Sequence, residues 1–118
     1  MTAWSATVAD FQTVAKLDDI ADGGMLQVIA HGEPVGLYRV GLDVYAINDY
    51  CTHEQTFLTD GDFEAEDLEV ECPLHGSRFN VVTGDVRILP ATKPVATYEV
   101  KIEGDEVLVG PRNERGVS

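Results

Sequence analysis

With 118 residues, of which 44% are hydrophobic and 25% charged, the chain has the length and balance of one globular domain, 1–118. Its 21 acidic residues outnumber the 8 lysines and arginines, and a formal net charge of -13 repels nucleic acid and anionic lipid. No apolar run is long enough to cross a bilayer, and Met1–Ser5 begins no signal peptide pattern, so a cytoplasmic protein without a membrane segment is expected.

The predicted elements are mainly short strands. Residues 9–21 come first, and they allow one short helical turn at about Thr13–Asp19. Runs of apolar and β-branched residues bounded by turn formers then predict five strands: 25–30, 34–40, 43–48, 96–102 and 106–109. Gly104-Asp105 supplies a two-residue hairpin turn between the last two strands. Several strands at this spacing predict an all-β fold, an antiparallel sandwich or barrel.

The stretch from about residue 50 to residue 94 differs from this β framework. Turn-forming residues recur throughout it, and it contains both cysteines and two of the three histidines. We therefore predict a small, loop-rich subdomain inserted in the framework. Its acidic run, 60–67, is interpreted as a solvated connection, and Asp49 is expected to face water. His31, the remaining histidine, is expected to be a solvated loop residue beside Gly32.

Two half-sites inside this stretch carry the metal-ligand chemistry. Cys51-Thr52-His53 and Cys72-Pro73-Leu74-His75 each offer one thiolate and one imidazole, and eighteen residues separate them. Zinc accepts two cysteines and two histidines, so a zinc-stabilised interaction module is one alternative. Zinc fingers, however, usually pair cysteine with cysteine and histidine with histidine, with at least two residues between ligands. The mixed pairs and the single residue between Cys51 and His53 favour another metal group.

A mixed pair on each loop suits a cluster of two iron ions. Each loop can give its cysteine to one iron and its histidine to the other. Two loops that meet tip to tip then complete both coordination spheres. A lone buried cysteine is usually inert, but four ligand-type residues at these spacings favour a metal centre.

The pattern C-x-H, a gap of this size, and C-x-x-H resembles the signature of Rieske iron–sulfur proteins. The similarity covers most of the chain. Asp49–His53 is similar to the first cluster loop of that family, Cys72–Phe79 to the second, and Leu89–Pro94 to the proline-bearing loop that covers the cluster. The resemblance implies the Rieske fold, an antiparallel β-sandwich with a cluster-binding subdomain at about 50–94.

The resemblance also implies one Rieske-type [2Fe–2S] cluster and its ligands. By it, Cys51 and Cys72 bind the buried iron, and His53 and His75 bind the iron nearer the surface. The exposed imidazole edges are then the expected exit for the electron.

Three positions indicate which kind of Rieske protein the chain resembles. Respiratory Rieske proteins have a disulfide between the cluster loops, but the corresponding positions here are Thr56 and Leu74. Those proteins also have a tyrosine that donates towards a cysteine sulfur, where this chain has Phe79. Ser77 can still donate a hydrogen bond. We therefore expect a potential near the low end of the Rieske range of about −150 to +300 mV.

A short Rieske chain without that disulfide resembles the ferredoxin component of bacterial aromatic-ring-hydroxylating dioxygenase systems, of the biphenyl and carbazole type. The implied function is one-electron transfer, by a monomer that is not itself an enzyme. The implied partners are an NAD(P)H-dependent flavin ferredoxin reductase and a terminal Rieske non-haem iron oxygenase. A second alternative is a small subunit of a reductase complex of the nitrite reductase kind.

Overall fold

In the computed structural model, which describes residues 10–52, 55–74, 76–89 and 91–113, the chain folds into two antiparallel sheets. The strands of the larger sheet are β1 Gln12–Lys16, β2 Met25–Ala30, β3 Glu33–Val40, β4 Asp43–Asn48, β9 Thr97–Glu103 and β10 Glu106–Arg112. The strands of the smaller sheet are β5 Asp62–Glu64, β6 Glu69–Glu71, β7 Arg78–Asn80 and β8 Val86–Ile88. Two 3₁₀ turns, Leu17–Asp19 and Leu58–Asp60, lie between strands, and no α-helix occurs in these ranges.

The larger sheet has the strand order β1-β10-β9-β4-β3-β2, and the smaller one β5-β6-β7-β8. The outer strands of the larger sheet, β1 and β2, lie near each other. The backbone N–H of His31, directly after β2, donates to Gln12 Oε1 in β1 (2.9 Å). The all-β antiparallel prediction is therefore confirmed. No helix in the described ranges has the length and apolar character needed to cross a membrane.

The five strands predicted from local pattern are present, with bounds shifted by three residues at most. The helical turn predicted at about Thr13–Asp19 is wrong over its first half, which is strand β1. Gln12–Lys16 pairs with β10, residue 12 opposite residue 109, and this distant partner decides the conformation. Only Leu17–Asp19 forms a turn.

Within residues 50–94, the structure adds the four-stranded sheet to the turns that the sequence predicts. Its strands have only three residues each, too few to show a periodicity. The acidic run predicted as a solvated connection forms strand β5 and the turn into β6. Val70 and Phe79, which are fully buried opposite each other, attach this sheet to the rest of the molecule.

The two faces of the larger sheet pack into different cores. Side chains alternate along β4, so Ala46 joins one core and Ile47 the other. The first core lies within the larger sheet around Ile20, Val35, Leu37, Val107 and Val109. The second lies between the sheets and contains Tyr38, Ile47, Cys51, Leu58, Val70, Cys72, Phe79, Val81, Ala91 and Val95. Both cysteines therefore belong to one buried core, which we call the cysteine core.

Candidate metal centre

The first ligand loop begins where β4 ends. The chain turns after Tyr50 and returns at Phe57, where the two residues form an isolated β-bridge and their rings lie 5.2 Å apart. Inside this loop the backbone N–H of Cys51 donates to Thr56 O (3.0 Å). Cys51 is 6% exposed and forms no disulfide. A short, hydrogen-bonded loop thus holds its thiol against the cysteine core.

Asp49 anchors this loop to two other elements. Its Oδ2 accepts hydrogen bonds from Gln27 Nε2 of β2 (2.7 Å) and Thr59 Oγ1 (2.6 Å), and its Oδ1 accepts one from the backbone N–H of Thr59 (2.9 Å). The prediction that Asp49 faces water is wrong, since its exposure is 0%. Asp49 directly follows β4, and it lies close enough to the buried Tyr38 of the cysteine core for its charge to raise the pKa of that hydroxyl. Burial raises the pKa of Asp49, against the lowering effect of the bonds from Thr59 and Gln27.

Asn48 holds the same loop from the opposite face of the strand. Its Oδ1 accepts the backbone N–H of Tyr50 (3.1 Å), and its Nδ2 donates to the Tyr98 hydroxyl (3.1 Å). Tyr98 donates in turn to Glu33 (2.5 Å), which also pairs with Arg112 (2.7 Å). Hydrogen bonds from Arg112 and Tyr98 lower the pKa of Glu33, while burial and the bond to Glu33 raise the pKa of Tyr98.

The second ligand loop joins β6 to β7. The backbone N–H of Cys72 donates to Ser77 O (2.7 Å), and that of Gly76 donates to Cys72 O (3.2 Å). The turn needs a left-handed residue, and Gly76 supplies it with φ of 78°. Cys72 is 1% exposed and, like Cys51, forms no disulfide.

A third segment, 91–95, joins the two ligand loops. The backbone N–H of Ala91 donates to the buried Ser77 Oγ (2.9 Å), and Thr52 Oγ1 donates to Lys93 O (2.7 Å). Because Ser77 accepts this bond, its own proton is free of Ala91 and available to another acceptor. The three segments that the sequence resemblance singled out are therefore joined by hydrogen bonds.

The arrangement of Cys51 and Cys72, the two predicted ligands that the structure describes, fits a [2Fe–2S] group. Two cysteines that form no disulfide, one from each loop, lie in one apolar core, as two thiolate ligands of a buried iron require. His53 and His75 lie outside the described residues, and no group of three or more candidate ligands occurs within the described ones. The assignment of all four ligands stays a prediction.

Several residues outside this set have simpler roles. His31 is an exposed loop residue whose Nε2 lies 3.1 Å from Val109 O, in agreement with its predicted place. Arg78 forms ion pairs with Glu71 (3.1 Å) and Glu69 (3.5 Å), so it belongs to the framework. The sequence reading missed the two loop anchors. The available signal was Asn48-Asp49, two polar turn formers at the point where a strand ends.

Two cysteine loops that meet in the core of two antiparallel sheets define the class, an all-β iron–sulfur protein. Comparison with known families then identifies the chain: the Rieske [2Fe–2S] domain matches residues 10–99, and the chain belongs to this family. The predicted Rieske fold and [2Fe–2S] cofactor are thus confirmed.

The chain is also similar to individual ferredoxins. It is 42% identical over 95 residues to the ferredoxin component of the naphthalene 1,2-dioxygenase/salicylate 5-hydroxylase systems of Ralstonia sp, covering 80% of this chain and 89% of that protein. The ferredoxin of carbazole 1,9a-dioxygenase from Nocardioides aromaticivorans IC177 has a TM-score of 0.83 and 42% identity over 86% of this chain and 97% of its own. A chain in the complex of reduced oxygenase and oxidised ferredoxin in carbazole 1,9a-dioxygenase has a TM-score of 0.79 and 36% identity. The match covers 86% of this chain and 93% of that one.

Proposed function

We propose that the chain is the ferredoxin of an aromatic-ring dioxygenase system. It takes single electrons from an NAD(P)H-dependent flavoprotein reductase and passes them to the Rieske centre of a terminal oxygenase. The observation that carries this proposal is the identity of 42% to a dioxygenase ferredoxin over 80% of the chain, with the two cysteines buried together. The relatives named above are electron-transfer components, which agrees with a carrier rather than a catalyst.

In this proposal Cys51 and Cys72 hold the buried iron, and His53 and His75 hold the outer one. When bound, the cluster supplies a site that accepts one electron and releases it again. The protein's own contribution is to keep water from the thiolate side, because Phe79 and Ala91 pack in the same core at 0% exposure. The backbone bonds of Cys51 to Thr56 and of Cys72 to Ser77 hold the two cysteines in place.

The ends of the ligand loops provide a docking face. Tyr50, Leu74 and Leu89 are 50%, 56% and 69% exposed, although they are large apolar side chains. They lie on or next to the three segments that the hydrogen bonds of Ser77 and Thr52 join, and exposed apolar side chains on neighbouring segments indicate a contact surface. We propose that reductase and oxygenase bind here in turn, and that the net charge of -13 draws basic partner surfaces towards the carrier.

A cytoplasmic, monomeric carrier is part of the same proposal. Its reductase draws on NAD(P)H, and a carrier that visits two partners through one face needs that face free. The support is the chemistry of the partners rather than any feature of the fold.

The experiment is an anaerobic redox titration followed by electron paramagnetic resonance. We expect a Rieske-type signal in the reduced protein and a midpoint in the lower part of the family range. A signal at high potential would contradict the ferredoxin role, and zinc in place of iron would contradict the electron carrier altogether. Mixing the reduced protein with an oxidised naphthalene- or carbazole-type oxygenase then tests delivery, which should reoxidise the carrier.

The ligands are tested with a matched pair of histidine variants. His75→Ala should abolish the Rieske signal, because it removes one imidazole from the outer iron. His31→Ala should leave the signal unchanged, because His31 lies on an exposed loop at the end of β2. An unchanged signal in His75→Ala would refute the ligand assignment.

A further inference from the structure

Gly61 lies between the two ligand loops. It directly follows the 3₁₀ turn Leu58–Asp60, which continues the returning side of the first ligand loop, and it precedes strand β5. Strand β6 runs antiparallel to β5, and Asp62 pairs with Glu71. The same register, continued by one residue, brings Gly61 beside Cys72. One residue is therefore attached to the first loop and adjacent to the cysteine of the second.

Backbone hydrogen bonds attach Gly61 to the first ligand loop. Its N–H donates to Leu58 O (2.9 Å), which closes the 3₁₀ turn. The N–H of Leu58 donates in turn to Asp49 O (2.7 Å), just before Cys51 in the chain. The Leu58 side chain is fully buried in the cysteine core, together with both cysteines. A displacement of Gly61 is thus passed to the start of the first loop.

Gly61 has no room for a side chain on the side of the second ligand loop. A Cβ built at this position would overlap the carbonyl oxygen of Glu71 and lie 3.2 Å from Pro73 Cδ. These two residues flank Cys72 in the chain. The φ of Gly61 is -96°, outside the left-handed region that favours glycine. The close contact with the second loop, and not the backbone conformation, is therefore the reason for a glycine here.

We propose that Gly61 is a positioning residue for the metal centre. Without a side chain, it lets the 3₁₀ turn lie directly against the backbone of residues 71–73, and this contact sets the separation of Cys51 and Cys72. A metal site needs its ligands held to within about 0.5 Å of their working positions. The smallest side chain at Gly61 would push the two segments apart by about 1 Å. The inference rests on the proposed function, since it takes both cysteines to bind one iron.

The test compares Gly61→Ala with Gly110→Ala in the cluster-loaded proteins. Gly110 also lacks room, because a Cβ there would lie 2.7 Å from the Phe11 ring, but it is on β10, whose neighbours in the sheet are β1 and β9. Both variants should therefore lose stability, and only Gly61→Ala should displace Cys72. At a temperature well below both unfolding transitions, Gly61→Ala should lose iron to excess chelator about tenfold faster than the parent protein. Gly110→Ala should differ from the parent by less than about twofold.

Electron paramagnetic resonance of the reduced variants gives a readout that a loss of stability alone does not move. A displaced ligand changes the g values of the cluster. Gly61→Ala should therefore differ in g values from the parent protein, whereas Gly110→Ala should not. Parental g values in Gly61→Ala, or equal rates of iron loss in the two variants, would overturn the proposal.

Pro73→Ala gives a second test, which decides the matter if Gly61→Ala does not assemble a cluster. It removes the ring atom that faces Gly61 and adds no atom near Glu71, so it loosens the contact instead of blocking it. Pro111→Ala, on β10, is its control. Pro73→Ala should release iron several-fold faster than Pro111→Ala, because the second ligand loop is no longer held against Gly61. Equal rates in the two proline variants would contradict the proposal.

Failure of the proposed function looks different from failure of this inference. If the chain is not a Rieske electron carrier, the parent protein itself gives no Rieske signal. If only the role of Gly61 is wrong, the parent protein gives the signal and Gly61→Ala gives the same one.

Discussion

The hydroxyl of Tyr38 provides a direct test of the packing described above. Tyr38 is fully buried in the cysteine core, where its ring packs edge-on against Phe63 with the ring centres 5.0 Å apart. Its hydroxyl finds no hydrogen-bond partner among the described residues. It lies so close to Gly36 that a Cβ at that position would be 2.9 Å from it. Burial, with Asp49 nearby, raises the pKa of Tyr38 well above its ordinary value, so the group stays neutral.

Tyr38→Phe should therefore stabilise the protein. A buried hydroxyl without a partner costs about 1–3 kcal/mol relative to water, and Phe removes that cost while keeping the ring. The small gap left beside Gly36 offsets part of the gain. We expect a net gain of about 1 kcal/mol, which corresponds to about 4 °C in the melting temperature of a domain of this size.

The assay is thermal unfolding of the cluster-loaded proteins, followed by circular dichroism. All variants are heated at the same rate, because cluster loss makes unfolding irreversible and the midpoint rate-dependent. Tyr98→Phe is the matched control, since its hydroxyl accepts from Asn48 and donates to Glu33. This control should lose about 1–2 kcal/mol. A loss of stability in Tyr38→Phe as well would show that its hydroxyl is bonded in solution and would refute the reasoning.

The remaining predictions concern pH, backbone conformation and redox potential. Hydrogen bonds lower the pKa of Glu33 in the folded state, so its stabilising effect exists above the unfolded pKa and is lost as pH falls through the folded one. In thermal scans across pH, Glu33→Gln should thus melt at a lower temperature than the parent protein at neutral pH and at the same temperature in strong acid. A difference in melting temperature that does not change with pH would contradict this. Gly84→Ala should cost about 3 kcal/mol in urea unfolding, because φ is 80° and the new Cβ would lie 2.2 Å from Val95 O. Gly104→Ala, with φ of 63° and open space around it, should cost only about 1 kcal/mol, and equal losses would exclude the clash. Phe79→Tyr should raise the midpoint potential in the redox titration, because it places a hydrogen-bond donor in the cysteine core. Phe63→Tyr is the control, since Phe63 lies on the partly exposed strand β5. An equal midpoint potential in the two variants would count against a donor effect.

The sequence by itself determined the main framework and the chemistry of the centre. Strands such as Met25–Ala30 and Asp43–Asn48 are bounded by turn formers and carry enough residues to show their type. The types and spacing of Cys51, His53, Cys72 and His75, which resemble the Rieske signature, predict the cofactor from the sequence alone, because ligand type and spacing are local properties of the chain.

Only the tertiary structure decided the features that depend on distant partners. Strand β1 exists because Gln12 lies opposite Val109, and nothing near residue 12 in the sequence reveals that partner. The three-residue strands of the smaller sheet likewise owe their conformation to their neighbours. The local sequence predicts that Asp49 is exposed, yet it is buried and accepts hydrogen bonds from Gln27 and Thr59, which belong to two other elements. Burial and hydrogen bonding are set by where the chain returns in space, which local composition does not encode.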